Sequence, residues 1–113
     1  MNKMKVMVLA ASTAVLSLGA VANAAAEDAS ALAQQSGCLA CHSVDHKVVG
    51  PAWKDVAAKY KGDAGARERL IKKVHTGGKG NWTAVTGGVP MPPYSPRVSD
   101  ENIETLVDFV LSL

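Results

Sequence analysis

The stretch SGCLACHSV (residues 36–44) holds Cys38 and Cys41, the chain's two cysteines, with His42 directly behind the second. Two soft sulfur nucleophiles and an imidazole within five residues support four chemistries. A disulfide between Cys38 and Cys41 would close so small a loop that it removes little entropy from the unfolded chain. A thioredoxin-like redox pair wants a βαβ setting, and nothing in this chain alternates like a strand. A structural zinc site needs four ligands, and without a second cysteine pair only His42, His46 and His75 remain to complete one. The fourth chemistry is covalent attachment of a c-type haem. Two thiols three residues apart on a helical turn reach the two vinyl groups of one porphyrin, and the next residue turns its imidazole toward the iron.

A haem held by histidine on one side invites a methionine on the other. The chain has Met1, Met4, Met7 and Met91. The first three fall in the opening segment. Met91 stands in GGVPMPPYSP, where Pro90, Pro92, Pro93 and Pro96 crowd around it. Proline fixes φ and lowers the entropy of the unfolded chain, so such a loop is stiff and presents a thioether at a fixed place. By itself the segment reads equally as a surface polyproline stretch; beside CLACH it makes Met91 the candidate sixth ligand of the iron.

The opening segment, MNKMKVMVLAASTAVLSLGAVANAAAED, reads as a secretory signal peptide covering residues 1–26. Lys3 and Lys5 form a basic head, Val6 to Leu18 an apolar run, and small residues follow that fit cleavage after Ala24 or Ala26. The run is shorter than the ~20 residues that span a bilayer. Cleavage leaves 89 or 87 of the 113 residues, one small domain. The formal charge of +2 comes from Lys3 and Lys5, so the remaining domain is neutral and its basic pI is no sign of nucleic-acid binding. So small a domain buries only ~60% of its unfolded surface and gains from a staple such as a bulky cofactor.

The elements that must position these side chains read as helices. Asp28 is placed to cap a helix over Ala29–Ser36 that Gly37 ends. Trp53, Val56, Ala57 and Tyr60 recur at helical spacing, as do Leu70, Ile71 and Val74 in a helix that Gly77 or Gly78 stops. Ser99 caps the last helix, Asp100 and Glu101 fill its first turn, and Ile103, Leu106, Val107, Val110 and Leu111 form its stripe. The glycine-rich segments between them read as loops.

In this order the elements resemble the small bacterial class I cytochromes c, and within them the cytochrome c-551 (c8) family. The resemblance spans 27–113 and rests on GCLACHSVDHKVVGPAWKDVAAKYKG (37–62) and VPMPP (89–93). It implies an all-α fold of about four helices wrapped around one haem c. Cys38 and Cys41 would form the thioethers, and His42 and Met91 would be the axial ligands. It further implies that the Pro51 carbonyl accepts from the proximal imidazole and that Trp82 bonds a haem propionate. The segment TAVTGG lengthens the usual gap from Trp82 to Met91, and Ala33 stands where an aromatic residue is common, with Trp53 a candidate to fill the space. His46 and His75 read as surface residues.

With both axial positions filled, no place is left for substrate, so the expectation is an electron carrier and not an enzyme. The resemblance implies a soluble periplasmic monomer, with a bc1-type complex as donor and a nitrite reductase or terminal oxidase as acceptor. No nucleic acid and no membrane insertion of the mature chain are expected. Lys47, Lys54, Lys72, Lys73 and Lys79 are candidates to ring the haem edge and steer an acidic partner, or simply a solvated surface. Two rival classes are a haem-based ligand-binding or peroxidase-like module, which needs an open iron or a distal acid–base group, and a non-haem Cys-x-x-Cys redox or zinc module.

Overall fold

The computed structural model describes residues 11, 12 and 18–113. The basic head and most of the apolar run of the opening segment lie outside the described residues. Helix α1 (Leu18–Gln35) starts ten residues before the cap expected at Asp28. Five alanines lie between Leu18 and Asp28, and alanine is the strongest helix former. The helix therefore runs back through Asp28, which is exposed in its interior instead of capping it. Among the described side chains of α1, Ala29 and Ala33 are buried, Ala33 completely.

Gly37 takes the left-handed conformation (φ 82, ψ 10) and turns the chain into a short 3-10 turn, Cys38–Ala40. Helix α2 (Trp53–Lys59) buries Trp53, Val56 and Ala57 as the spacing predicts, while Tyr60, the fourth residue of that face, falls just past the helix end and is half-buried. Helix α3 (Ala66–Thr76) stops at Gly77, whose N–H bonds the Lys73 carbonyl. A one-turn helix, α4 (Thr83–Thr86), sits in the segment read as loop. Helix α5 (Asp100–Leu111) begins as expected: the Ser99 hydroxyl accepts from the Asn102 N–H at 3.2 Å.

Helix α5 organises the domain. It packs against α1, α2 and α3, and buries Ile103, Leu106 and Val107 between them. Burying three such side chains contributes about 1.5–3 kcal/mol each, which makes this stripe the main apolar frame. On its surface, Arg67 of α3 forks onto Asp108 of α5 at 2.7 and 3.1 Å. The core gathers Ala33, Cys38, Trp53, Tyr94, Val98, Ile103 and Leu106, so the first cysteine of the motif belongs to it. Leu70, Ile71 and Val74 of α3 are only half-buried. Leu70 and Val74 line a cavity, and Val74 also packs against the core cluster. Among the described residues there is no strand beyond two isolated bridges, His42 with Lys47 and Gly78 with Met91. None of the described helices is long and apolar enough to cross a membrane.

Candidate functional site

The cysteine motif is wound tightly. The N–H groups of Cys41 and His42 both donate to the Cys38 carbonyl, at 3.2 and 3.0 Å. The chain then loops back, and the N–H groups of Val49 and Gly50 close it onto the Cys41 carbonyl at 3.2 and 2.7 Å. Cys38 and Cys41 are not bridged to each other. Burial pushes the Cys38 thiol above its ordinary pKa, against smaller opposing effects of a backbone hydrogen bond and Arg97. Cys38 therefore presents its sulfur within an apolar wall.

His42 is half-buried behind them. Its Nδ1 lies 2.8 Å from the Pro51 carbonyl oxygen. A carbonyl only accepts, so Nδ1 carries the hydrogen and Nε2 keeps its lone pair. Burial lowers the imidazole pKa, outweighing the Pro51 hydrogen bond, which acts to raise it. Both facts favour a neutral ring with a free nitrogen donor, the state a metal ligand requires. Trp53 stacks on this ring at 5.6 Å between centroids, and Phe109 meets Trp53 edge-on at 6.0 Å.

Met91 comes from the opposite end of the chain. Its backbone pairs with Gly78 in both directions: Met91 N–H to the Gly78 carbonyl at 3.0 Å and Gly78 N–H to the Met91 carbonyl at 2.9 Å. Three residues on, the Tyr94 N–H donates to the Val74 carbonyl at 3.0 Å. The proline-rich loop is thus fastened to the end of α3 as well as stiffened by its own composition. Met91 packs against the core cluster.

These pieces border one cavity of about 350 Å³. Cys38, Cys41, His42 and Met91 all line it, as do Pro51 and Trp82. Leu70, Val74, Leu106, Val107 and Val110 make its apolar walls. Its volume lies in the range of cofactor sites, ~300–1,000 Å³. Two thiols, one neutral imidazole and one thioether around an apolar interior are the donor set for a covalently tethered haem, so the residues present fit the group. Among the described residues no three His, Cys, Asp or Glu side chains converge as a metal site, so no zinc cluster forms around CLACH.

The polar lining includes Tyr60, Arg69, Lys73, Asn81 and Trp82. Trp82 is half-buried, edge-on to Tyr60 at 6.5 Å, with the Lys59 ammonium 4.5 Å from its ring centroid. Of the five lysines, Lys73 and Lys79 line the cavity. Lys54 pairs with Asp45 at 2.6 Å, and Lys73 is half-buried with its ammonium 3.4 Å from the Gly77 carbonyl. Lys47, Lys72 and Lys79 are exposed. His46 is exposed, as expected. His75 is less of a surface residue than expected: its side chain is 26% exposed and lies 3.5 Å from Asp100.

Three glycines matter here that the sequence reading passed over or took only as a helix stop. Gly77 is buried at φ 69 and ψ −163, a region essentially reserved for glycine. A Cβ there would fall 2.4 Å from the Met91 carbonyl oxygen. Gly78 supplies both backbone partners of Met91. Gly50 abuts the His42 ring. The double glycine after α3, followed by Met91, the one methionine outside the opening segment, is the signal that joins the first two to the site.

Among the described residues, α1, α2 and α3 packed on α5, round one apolar cavity that takes thiols and imidazole from the Cys38–His42 turn and thioether from the Met91 loop, define a small helical cofactor-binding protein. Known proteins narrow this class. The family model for cytochrome c matches residues 26–113. Cytochrome c-551 of Allochromatium vinosum is 56% identical over 82 residues, covering 73% of this chain and 82% of that protein. Cytochrome c-551 of Pseudomonas aeruginosa is 48% identical over 87 residues, 77% of this chain and 78% of that one. The crystal structure of Nitrosomonas europaea cytochrome c552 superimposes with a TM-score of 0.66 at 44% identity, covering 74% of this chain and 98% of its own. The chain belongs to the cytochrome c family. It is a small monohaem class I cytochrome c with one covalently bound haem c, an electron carrier and not an enzyme.

Proposed function

We propose that this cytochrome is exported, processed after Ala24 or Ala26, and works as a soluble one-electron carrier in the periplasm. In this reading Cys38 and Cys41 form the thioethers and His42 and Met91 are the axial ligands. The observation that carries it is that these four side chains, up to 53 positions apart, border one apolar cavity. Bound there, the haem supplies one-electron exchange between ferrous and ferric iron.

The chain's own residues do the rest. The Pro51 carbonyl holds the His42 Nδ1 hydrogen, which orients the ring and raises its basicity as a ligand. Gly77 and Gly78 hold the Met91 backbone, so the thioether is presented in a fixed place. Leu106, Val107 and Val110 exclude water from the cavity. Trp82 and its polar neighbours stand ready to receive the haem propionates. A bc1-type complex as donor and a nitrite reductase or terminal oxidase as acceptor follow from the family resemblance. Processing is compatible with the fold, because Ala25 to Asp28, beside both candidate cut sites, are exposed. The new N-terminus then leaves Glu27 and Asp28 in the first turn, where acidic residues suit the helix dipole.

Mass spectrometry of the denatured, periplasm-purified protein tests the attachment. One haem's added mass is expected on the wild type, and noncovalent loss of haem on Cys38→Ser/Cys41→Ser. A wild-type mass equal to the bare polypeptide, after expression with haem-attachment machinery, overturns the assignment of the two thiols.

A further inference from the structure

We propose that Gly50 and Trp53 form a clamp that fixes the plane of the His42 imidazole, which makes both positioning residues for electron transfer. The inference rests on His42 being the proximal ligand. Gly50 is not among the positive-φ glycines, so its backbone conformation does not demand glycine. Space does. A Cβ built on Gly50 falls 2.6 Å from His42 Cε1 and 3.0 Å from both Nδ1 and Nε2. Equal distances to the two nitrogens put it squarely against the Cε1 corner of the ring. Trp53 covers a face of the same ring, 25° from parallel.

Both clamp residues are tied to the positions that flank His42. The Gly50 N–H donates to the Cys41 carbonyl at 2.7 Å, and the Trp53 N–H donates to the Ser43 carbonyl at 2.9 Å. The clamp therefore moves with the ligand's own backbone and cannot drift from it. Trp53 is itself held by Phe109 of α5. The Pro51 carbonyl fixes which nitrogen carries the hydrogen. That one bond still permits the ring to rock about it, and the indole face and the Gly50 backbone remove that freedom. A ligand ring with one allowed plane keeps the same orientation in both oxidation states, so little rearrangement accompanies each electron.

The test uses the purified ferric and ferrous holoprotein as wild type, Gly50→Ala, Trp53→Leu and Trp53→Phe. The haem-methyl hyperfine shifts of the ferric form report the imidazole plane. Gly50→Ala and Trp53→Leu are expected to change the spread and order of these shifts. Trp53→Phe keeps a flat face and should restore most of the wild-type pattern. In Gly50→Ala the ring must shift or the backbone must give; where the shift lengthens the Pro51 hydrogen bond, donation to ferric iron weakens and the midpoint potential should rise. If Trp53→Leu fails to mature, Gly50→Ala and Trp53→Phe still decide the matter. Wild-type hyperfine order in Gly50→Ala overturns the clamp. Nitrogen-15 labelling of His42 separates the two failures: a free-imidazole resonance in the wild type would sink the ligand assignment itself.

Discussion

Gly77→Ala probes how the Met91 loop is held. Two costs add. At φ 69 and ψ −163 the backbone is in a glycine-only region, where another residue costs about 1–3 kcal/mol. The new Cβ would also lie 2.4 Å from the Met91 oxygen, 2.8 Å from Pro93 N and 2.9 Å from Pro92 C. All three are backbone atoms of the proline-stiffened loop, so no side chain can swing aside. Overpacking of this kind costs a further ~1–3 kcal/mol. A total of roughly 2–6 kcal/mol compares with about 4–13 kcal/mol for a whole domain of residues 27–113, at ~0.05–0.15 kcal/mol per residue. Gly87→Ala is the matched control. It too has positive φ (65) but nothing within 4 Å of its Cβ, so it pays only the left-handed cost of ~1–2 kcal/mol. Guanidinium unfolding followed by circular dichroism gives both losses, and the iron–sulfur absorption band follows Met91. The band should weaken in Gly77→Ala and persist in Gly87→Ala. If Gly77→Ala unfolds no earlier than Gly87→Ala and keeps the band, the glycine does not secure the loop.

Further outcomes follow from other parts of the fold. Arg67 holds the Asp108 carboxyl below its usual pKa, so the pair stabilises the protein above the unfolded carboxylate value of ~3.9 and that contribution is lost as pH falls through the lower folded value. Asp108→Asn should therefore lower the unfolding midpoint at neutral pH and flatten its fall in that acid window; an unchanged acid profile would refute the tie between α3 and α5. Ala33→Phe, at a fully enclosed position, should cost ~1–3 kcal/mol by overpacking, read from chemical denaturation. Removing residues 1–26 should leave that denaturation curve unchanged, and N-terminal sequencing of exported protein should begin at Ala25 or Glu27.

The motif side chains were legible in the sequence because their chemistry is written in local order: CLACH carries its own spacing, and Met91 is the methionine outside the opening segment. The α5 helix was legible for the same reason, with its Ser99 cap and single apolar stripe. The start of α1 was not, because an alanine-rich segment continues the helix past a residue that resembles a cap. The short α4 was hidden by its threonines and flanking glycines, which favour turns. The partial exposure of Leu70 and Val74 could not be read either: a stripe facing a cofactor cavity has the same periodicity as one facing a packed core. The roles of Gly50 and Gly77 depend on backbone approach between segments 8 and 14 residues apart, which no local pattern encodes.

Met91 as the sixth ligand is the claim on which the carrier reading turns, and Met91→Ala tests it most directly. A thioether favours ferrous iron, and the thioether is removed here without touching the covalent attachment at the two cysteines. The visible spectrum and redox titration of the variant should show a lost iron–sulfur band, a lower midpoint potential and ready binding of carbon monoxide or cyanide. A wild-type spectrum and an unchanged midpoint potential would contradict the account and turn attention to His46 or His75.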